Sequence, residues 1–281
     1  MEIKLENVSY SYKKVNYQEK EVVKEINLKI KDGKINAIIG EIGSGKTTIL
    51  NMINQELLPT KGKIKFGDKT ISSKDDVKVD YSLDFGYVSQ NPKEQFFTQT
   101  VYQELETILQ INYYKTDKIE KRIFDVLLMV GLDQNKLNQN PNTLSHGESR
   151  KLAIAEALIY NPKVLIFDEP TANLDTKSKN DFIKLIRLLK TRYNKTIIVS
   201  SNDLDFIHKI SDYIFVFHNK KLVLEGTKYD VFKDYKQLKK YGLIPPKVML
   251  FSDIVLSKKK IKLGYRDEIN DLIKDIYRSS Y

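Results

Sequence analysis

The residues best suited to chemistry fall in three stretches. The first is Gly40-Glu41-Ile42-Gly43-Ser44-Gly45-Lys46-Thr47-Thr48. It follows Ile35-Asn-Ala-Ile-Ile, a short run that reads as a buried strand, and it precedes helical spacing from Thr48 to Leu57. This is G-x-x-x-x-G-K-[ST] in a strand-to-helix setting. Glycines let the backbone curl so that successive N–H groups point inward at phosphate oxygens, and the helix N-terminus adds a favourable dipole. Lys46 supplies a cation for the β and γ phosphates, and the Thr47 hydroxyl can ligate Mg²⁺. Residues 40–48 are therefore expected to hold a nucleoside triphosphate.

The second stretch is Val164-Leu-Ile-Phe-Asp168-Glu169. Four apolar residues make a buried strand, and two adjacent carboxylates at its end are costly unless a cation or a water uses them. Such a strand end can be purely structural. Beside a phosphate loop it reads as Asp168 holding Mg²⁺ through its water shell and Glu169 polarising an attacking water. The third stretch, Lys195-Thr-Ile-Ile-Val-Ser-Ser-Asn202-Asp203, is again a buried strand that becomes polar at its carboxyl end, where open α/β sheets bind ligands.

The elements around these stretches read as strand–helix alternation. Strands are expected at Ile3 to Tyr12, Val22 to Ile30, Lys63 to Phe66 and Asp84 to Ser89. From Thr100 to Val130 the spacing is helical, with Val101, Leu105 and Leu109 on one face and Ile123, Val126, Leu127 and Val130 on another. This block looks like an inserted helical subdomain, spanning about residues 92–160 once the next helix, Ser149 to Ile159, is included. Helices Lys177 to Tyr193 and up to Ile210, with strands Thr196 to Ser200, Tyr213 to Phe217 and Lys221 to Leu224, complete the body. A tail, residues 227–281, breaks at Pro245-Pro246 and ends in a helix with Ile269, Leu272, Ile273, Ile276 and Tyr277 on one stripe, which must pack on the body or on a partner.

Composition narrows the class. The 281 residues are 41% hydrophobic, enough for one large α/β domain with an appendage or two small domains. The excess of 47 Lys and Arg over 37 Asp and Glu suits a lysine-rich solvated surface, or attraction to phosphates, an anionic membrane face or nucleic acid. Without cysteine there is no disulfide framework and no thiolate metal site, as fits a reducing compartment. The strand-like start MEIKLENVSYSY is unlike a signal peptide, and no uncharged apolar run reaches the roughly 20 residues that span a bilayer. Work at a membrane would go through partners.

Between the first two stretches lies Leu144-Ser-His-Gly-Glu148, followed by SRKLAIAEALIYNPKVLIFDEPTANLD. Over residues 1–226 the chain resembles the ATP-binding cassette (ABC) ATPases. The resemblance implies a P-loop α/β fold with a mixed central sheet, an antiparallel β subdomain and a helical subdomain; the tail at 227–281 is expected to be a small α-rich extension and a possible dimer contact. It implies ATP and Mg²⁺ as ligands. It also implies that the signature, LSGGQ in the family, contacts the ATP of the opposite subunit; Ser145 and Gly147 match, while His146 and Glu148 replace glycine and glutamine and should weaken the contact. By the same resemblance Tyr12 stacks on adenine, Gln90 senses Mg²⁺ and the membrane partner, and Asp175 crosses the dimer interface. Where the family has a histidine that reaches the γ-phosphate, this chain has Asn202, which implies slow hydrolysis at the site built on its own Lys46 and Glu169.

The stretch Gln90-Asn-Pro-Lys-Glu-Gln95-Phe-Phe-Thr-Gln-Thr-Val101-Tyr-Gln-Glu104 looks like a segment of the ATPase subunits of energy-coupling-factor (ECF) transporters, which import vitamins and transition-metal ions. The connection Lys13 to Glu21 is similar to that of the second ATPase type in such transporters. The implied role is a motor subunit at the cytoplasmic face of the cell membrane. It would be paired with a second ATPase, would meet a membrane scaffold through Gln90 to Glu104, would serve a membrane substrate-binding protein indirectly, and would not bind nucleic acid. Two other readings stay open: a nucleotide-binding subunit whose own site is largely silent, and an ABC ATPase serving another kind of transporter or acting on nucleic acid or ribosomes.

Overall fold

A computed structural model describes residues 1–13, 19–72, 84–111 and 118–279. Most of residues 13 to 21, the connection similar to that of second-type ATPases, lies outside them. Among the described residues ten strands form two sheets: β1 (Ile3–Lys13), β2 (Glu19–Ile30), β3 (Ile35–Gly40), β4 (Lys61–Phe66), β5 (Lys69–Ser72), β6 (Phe85–Val88), β7 (Val164–Asp168), β8 (Thr196–Ser200), β9 (Tyr213–His218) and β10 (Lys221–Thr227). The smaller sheet runs β2-β1-β4-β5 and is antiparallel throughout. The larger runs β10-β9-β3-β8-β7-β6, with only β10 antiparallel to its neighbour.

Strand periodicity of two divides the larger sheet between two cores. On one face Ile38, Ile166, Ile198, Phe215 and Phe217 meet Ile49, Leu50, Met52 and Ile53 of α1 (Lys46–Ile53) and the inner face of the smaller sheet. On the other face Ile39, Leu165, Phe167, Val199, Ile214 and Val216 meet the remaining helices. Strands buried on both sides read as apolar runs, which is why their positions are clear from sequence. Each fully buried α1 side chain contributes roughly 1.5–3 kcal/mol, so the helix that opens at Lys46 is held firmly from behind.

The inserted block consists of α2 (Val101–Ile111), α3 (Ile119–Val130) and α4 (His146–Leu158). Val101, Leu105 and Leu109 are buried, as are Ile123, Val126, Leu127 and Val130, on the faces their spacing assigns. Helix α5 (Thr176–Thr191) and the short α6 (Leu204–Ile210) follow β7 and β8.

Beyond Thr227 the chain forms α7 (Lys228–Lys233), α8 (Tyr235–Lys240), α9 (Lys247–Lys259) and α10 (Ile269–Ser279). Val231, Phe232, Leu238, Leu243, Val248 and Met249 are buried in the same core as α5 and α6, so this tail docks on its own chain. Asp205 of α6 accepts the Lys247 N–H at 2.7 Å, and His208 of α6 lies 3.0 Å from the Tyr265 hydroxyl. Burial among these groups pulls the His208 imidazole down to about 4, Lys228 adding and Asp267 opposing. On α10 the expected stripe is only partly covered: Leu272 is buried, whereas Ile269 and Ile273 are each 37% exposed and Tyr277 is 67% exposed.

Three local readings change. Helix α1 starts at Lys46 rather than Thr48, because Gly45 in the left-handed region (φ 101°) is its N-cap and no Ser, Thr, Asp or Asn announces the start. Helix α4 begins at His146, three residues ahead of Ser149, because Ser145 and Glu148 form a reciprocal capping box. Strand β5 has one buried residue, Ile71, and shows no alternation for a sequence pattern to catch.

Candidate functional site

The phosphate loop joins the central β3 to α1, at the sheet's carboxyl edge. Gly40 allows close packing there: a Cβ would lie 2.7 Å from Ser44 Oγ and would strike the Phe217 carbonyl. Lys46 Nζ donates to the Gly40 carbonyl at 2.8 Å and the Glu41 carbonyl at 3.0 Å, so the lysine threads back through the loop it belongs to. It is 7% exposed. Burial pulls its ammonium pKa down while Glu169 and Asp168 pull it up. Ser44 Oγ is buried with no hydrogen-bond partner among the described residues, a polar atom the loop alone leaves unsatisfied. Thr47 is exposed at the helix start, and Ile42 is 91% exposed at the loop's apex.

Asp168 and Glu169 arrive on β7, separated from β3 by β8. Register places Asp168 opposite Ser200, whose hydroxyl donates to Asp168 Oδ1. Glu169 turns out of the strand at φ 45°, its N–H bonded to the Ser200 carbonyl at 3.1 Å. Its Oε2 accepts the Asn202 backbone N–H at 3.2 Å, and its Oε1 is buried and makes no hydrogen bond among the described residues. Burial raises the Glu169 pKa; the Asn202 N–H and Lys46 oppose that, and Asp168 adds to it. A carboxylate with one anchored and one free oxygen, near a buried lysine, is arranged to take a proton from a water.

Asn202 therefore reaches the site by its backbone. Its side chain is exposed and makes no hydrogen bond among the described residues. Asp203 caps α6 and pairs with Lys179 at 2.7 Å, fixing where residue 202 stands. Tyr12, near the end of β1, is 41% exposed with its hydroxyl 3.4 Å from Thr48 Oγ1, and its ring meets Tyr10 edge-on at 4.8 Å. Gln90 follows β6 and is exposed, one strand beyond Asp168 on the same edge.

Ser145, Gly147 and Asp175 form a second cluster. Ser145 caps α4, Asp175 caps α5 through the Ser178 N–H at 2.9 Å, and Ser178 Oγ lies 3.8 Å from where a Cβ on Gly147 would be. Glu148 Oε2 accepts both the Ser145 N–H at 2.9 Å and its hydroxyl at 2.7 Å, and Glu148 pairs with Lys136 at 3.1 Å. These bonds lower the Glu148 carboxyl to about 2. The S-x-x-E spacing carried this signal, so Glu148 is a cap partner with its charge already matched.

Arg150 was not legible as a functional residue. Only 6% exposed, it donates from α4 to the Ser89 carbonyl at 3.0 Å and the Gln90 carbonyl at 3.1 Å. It ties the helix that carries Ser145 and Gly147 to the segment that carries Gln90.

Comparison with known proteins agrees with this arrangement. The family model described as ABC transporter matches residues 23–172. The energy-coupling factor transporter ATP-binding protein EcfA2 of Clostridium acetobutylicum is 34% identical over 278 residues, covering 99% of this chain and 94% of that protein. EcfA2 of Clostridium perfringens is 37% identical over 249 residues, covering 88% and 87%. Among solved structures, cbiO1 from Clostridium perfringens, part of the ABC transporter complex cbiONQ, superposes with a TM-score of 0.73 at 30% identity, covering 89% of this chain and 98% of that one. A dimeric ATP-binding cassette in a post-hydrolysis state bound to ADP and Pi superposes at 0.72 and 28% identity, covering 80% and 98%. With the phosphate loop, the paired carboxylates and the capped signature helix in these places, the chain belongs to the ABC transporter family as one of its ATPases.

Proposed function

We propose that this chain is the ATP-binding and ATP-hydrolysing motor subunit of an ECF-type importer, working as a dimer with a second ATPase. The observation that carries the reading is the joint placement of Lys46, Asp168 and Glu169 in a chain similar along 99% of its length to an EcfA2 protein. The phosphate loop and Tyr12 hold ATP, with Lys46 at the β and γ phosphates. Mg²⁺ fits the donor set: a buried Asp168 with Oδ1 already engaged by Ser200, the exposed Thr47 hydroxyl, and Gln90 on the same edge. When bound, the ion neutralises phosphate charge during transfer. Glu169 orients and deprotonates the attacking water. Ser145 and Gly147 close on ATP held by the partner, and Asp175 meets the partner across the interface.

Gln90 to Glu104 is where the ATPase meets a membrane scaffold. In this stretch Phe97 is 87% exposed, and Glu104 is buried beneath it, accepting the Phe97 and Thr98 N–H groups. Among the described residues no helix is long and apolar enough to cross a membrane. We place the chain on the cytoplasmic face, with the substrate-binding membrane protein reached only through the scaffold and with no nucleic-acid partner. Tagged chain purified from detergent-solubilised membranes of its own host should bring a second ABC ATPase and a polytopic membrane protein; ribosomes or nucleic acid in their place would overturn the reading.

The site built on this chain's own Lys46 and Glu169 is the slower of the two. The exposed amide of Asn202 supplies no cation toward the γ-phosphate, and only its main chain touches Glu169. The site completed by the partner's catalytic residues with Ser145 and Gly147 carries more of the turnover. Replacing Asn202→His should raise ATP turnover by about a hundredfold, the low end of what one positioned acid–base group supplies. Unchanged phosphate release in that variant, measured with the partner present, would refute the assignment.

A further inference from the structure

Glu41 is the only acidic residue inside the phosphate loop, and an anion there opposes the charge the loop must bind. Lys46 takes its carbonyl. The carboxylate goes elsewhere, to two residues outside the loop.

The first is Gly242, just past the end of α8. It has φ +70°, and its N–H bonds to the Lys239 carbonyl at 3.2 Å as the helix closes. A Cβ built on Gly242 would overlap Glu41 Oε1 and lie 3.0 Å from Glu41 Cγ. The Glu41 side chain thus occupies the space that any other residue at 242 would claim. The second is His218, the last residue of β9. Its Nε2 receives the Asn219 side-chain amide at 3.0 Å, which leaves the ring proton on Nδ1. That atom is buried, lies 3.4 Å from Glu41 Oε2 and makes no hydrogen bond among the described residues, so the carboxylate is the acceptor that faces it. Tyr241 backs the imidazole, with ring centroids 5.4 Å apart.

We infer that Gly242 and His218 are positioning residues for ATP binding, forming a berth that holds the Glu41 carboxylate clear of the triphosphate. The inference rests on the loop being the ATP site. It makes the helical tail a determinant of nucleotide affinity through one side chain of the loop.

The test is a double-mutant cycle on the full chain, reading equilibrium binding of a fluorescent trinitrophenyl analogue of ATP with Mg²⁺. Gly242→Ala evicts the carboxylate, and a free negative charge within several ångströms of the phosphates should weaken binding roughly three- to tenfold. In a Glu41→Ser background the same Gly242→Ala change should alter affinity less than about twofold, since no carboxylate remains to be displaced. Melting temperature will fall in both backgrounds, because alanine at a positive φ is strained whatever residue 41 is. Should Gly242→Ala not fold, His218→Leu removes the other side of the berth without touching that backbone and should show the same dependence on Glu41. Equal weakening in the two backgrounds, or no weakening when Glu41 is present, overturns the proposal. Wild-type chain that fails to bind the analogue, or Lys46→Ala chain that binds it undiminished, would instead refute the ATP site itself.

Discussion

Replacing Glu169→Gln should reduce ATP hydrolysis at this chain's own site by about 10²- to 10⁴-fold while leaving ATP bound. The shapes of the two side chains match, and the Asn202 N–H can still find an acceptor in the glutamine oxygen. What is lost is the capacity to take a proton at Oε1, the buried oxygen that makes no hydrogen bond among the described residues. The pH profile supplies an independent reading. Burial raises the Glu169 pKa, and only the carboxylate form accepts a proton. Turnover should therefore fall on acidification at a higher pH than for an ordinary glutamate near 4.3, and this limb should vanish in the glutamine variant. The measurement is single-turnover phosphate release with the second ATPase present, its own glutamate replaced so that one site reports. Hydrolysis within about fivefold of wild type would remove Glu169 from the role of base.

Replacing Lys46→Ala should abolish retention of ATP by the isolated chain. The ammonium is buried and bonded to two loop carbonyls, so its removal takes away both the cation and the brace that keeps the loop curled. Loss of a charge-assisted contact of this kind costs about 3 kcal/mol, roughly a hundredfold in affinity. Lys46→Arg should not restore binding, because a planar guanidinium cannot fit the space of a point charge threaded between the Gly40 and Glu41 carbonyls. Nucleotide content after purification, together with titration of the emptied chain, provides the check. Equal ATP content in wild type and Lys46→Ala would overturn the placement of the phosphate loop.

The parts of this molecule readable from sequence are those where one local pattern has one physical cause. Strands β3, β7 and β8 are buried on both faces and appear as apolar runs; the glycines of residues 40–45 mark a backbone that must curl. The paired carboxylates stand out because a charged strand end needs a reason. What stayed hidden depends on contacts between distant segments. Arg150 binds carbonyls sixty and sixty-one residues away, and no pattern of side chains predicts a main-chain partner. Glu41, His218 and Gly242 come from three elements, and the glycine looks like an ordinary helix stop. Glu148 stands out as a charge beside Ser145, and the S-x-x-E spacing also pairs the two in a capping box.

Arg150 grips the path of the chain at Ser89 and Gln90 rather than the identity of its side chains. Substitutions at 89 or 90 would leave that grip in place, while a shift of the backbone there would break these two bonds or draw α4 with it. Helix α4 and the chain at residues 89–90 are thus coupled through the main chain. Given the proposed scaffold contact at Gln90 to Glu104, a displacement imposed there would reach Ser145 through α4, whatever side chains line the surface between them.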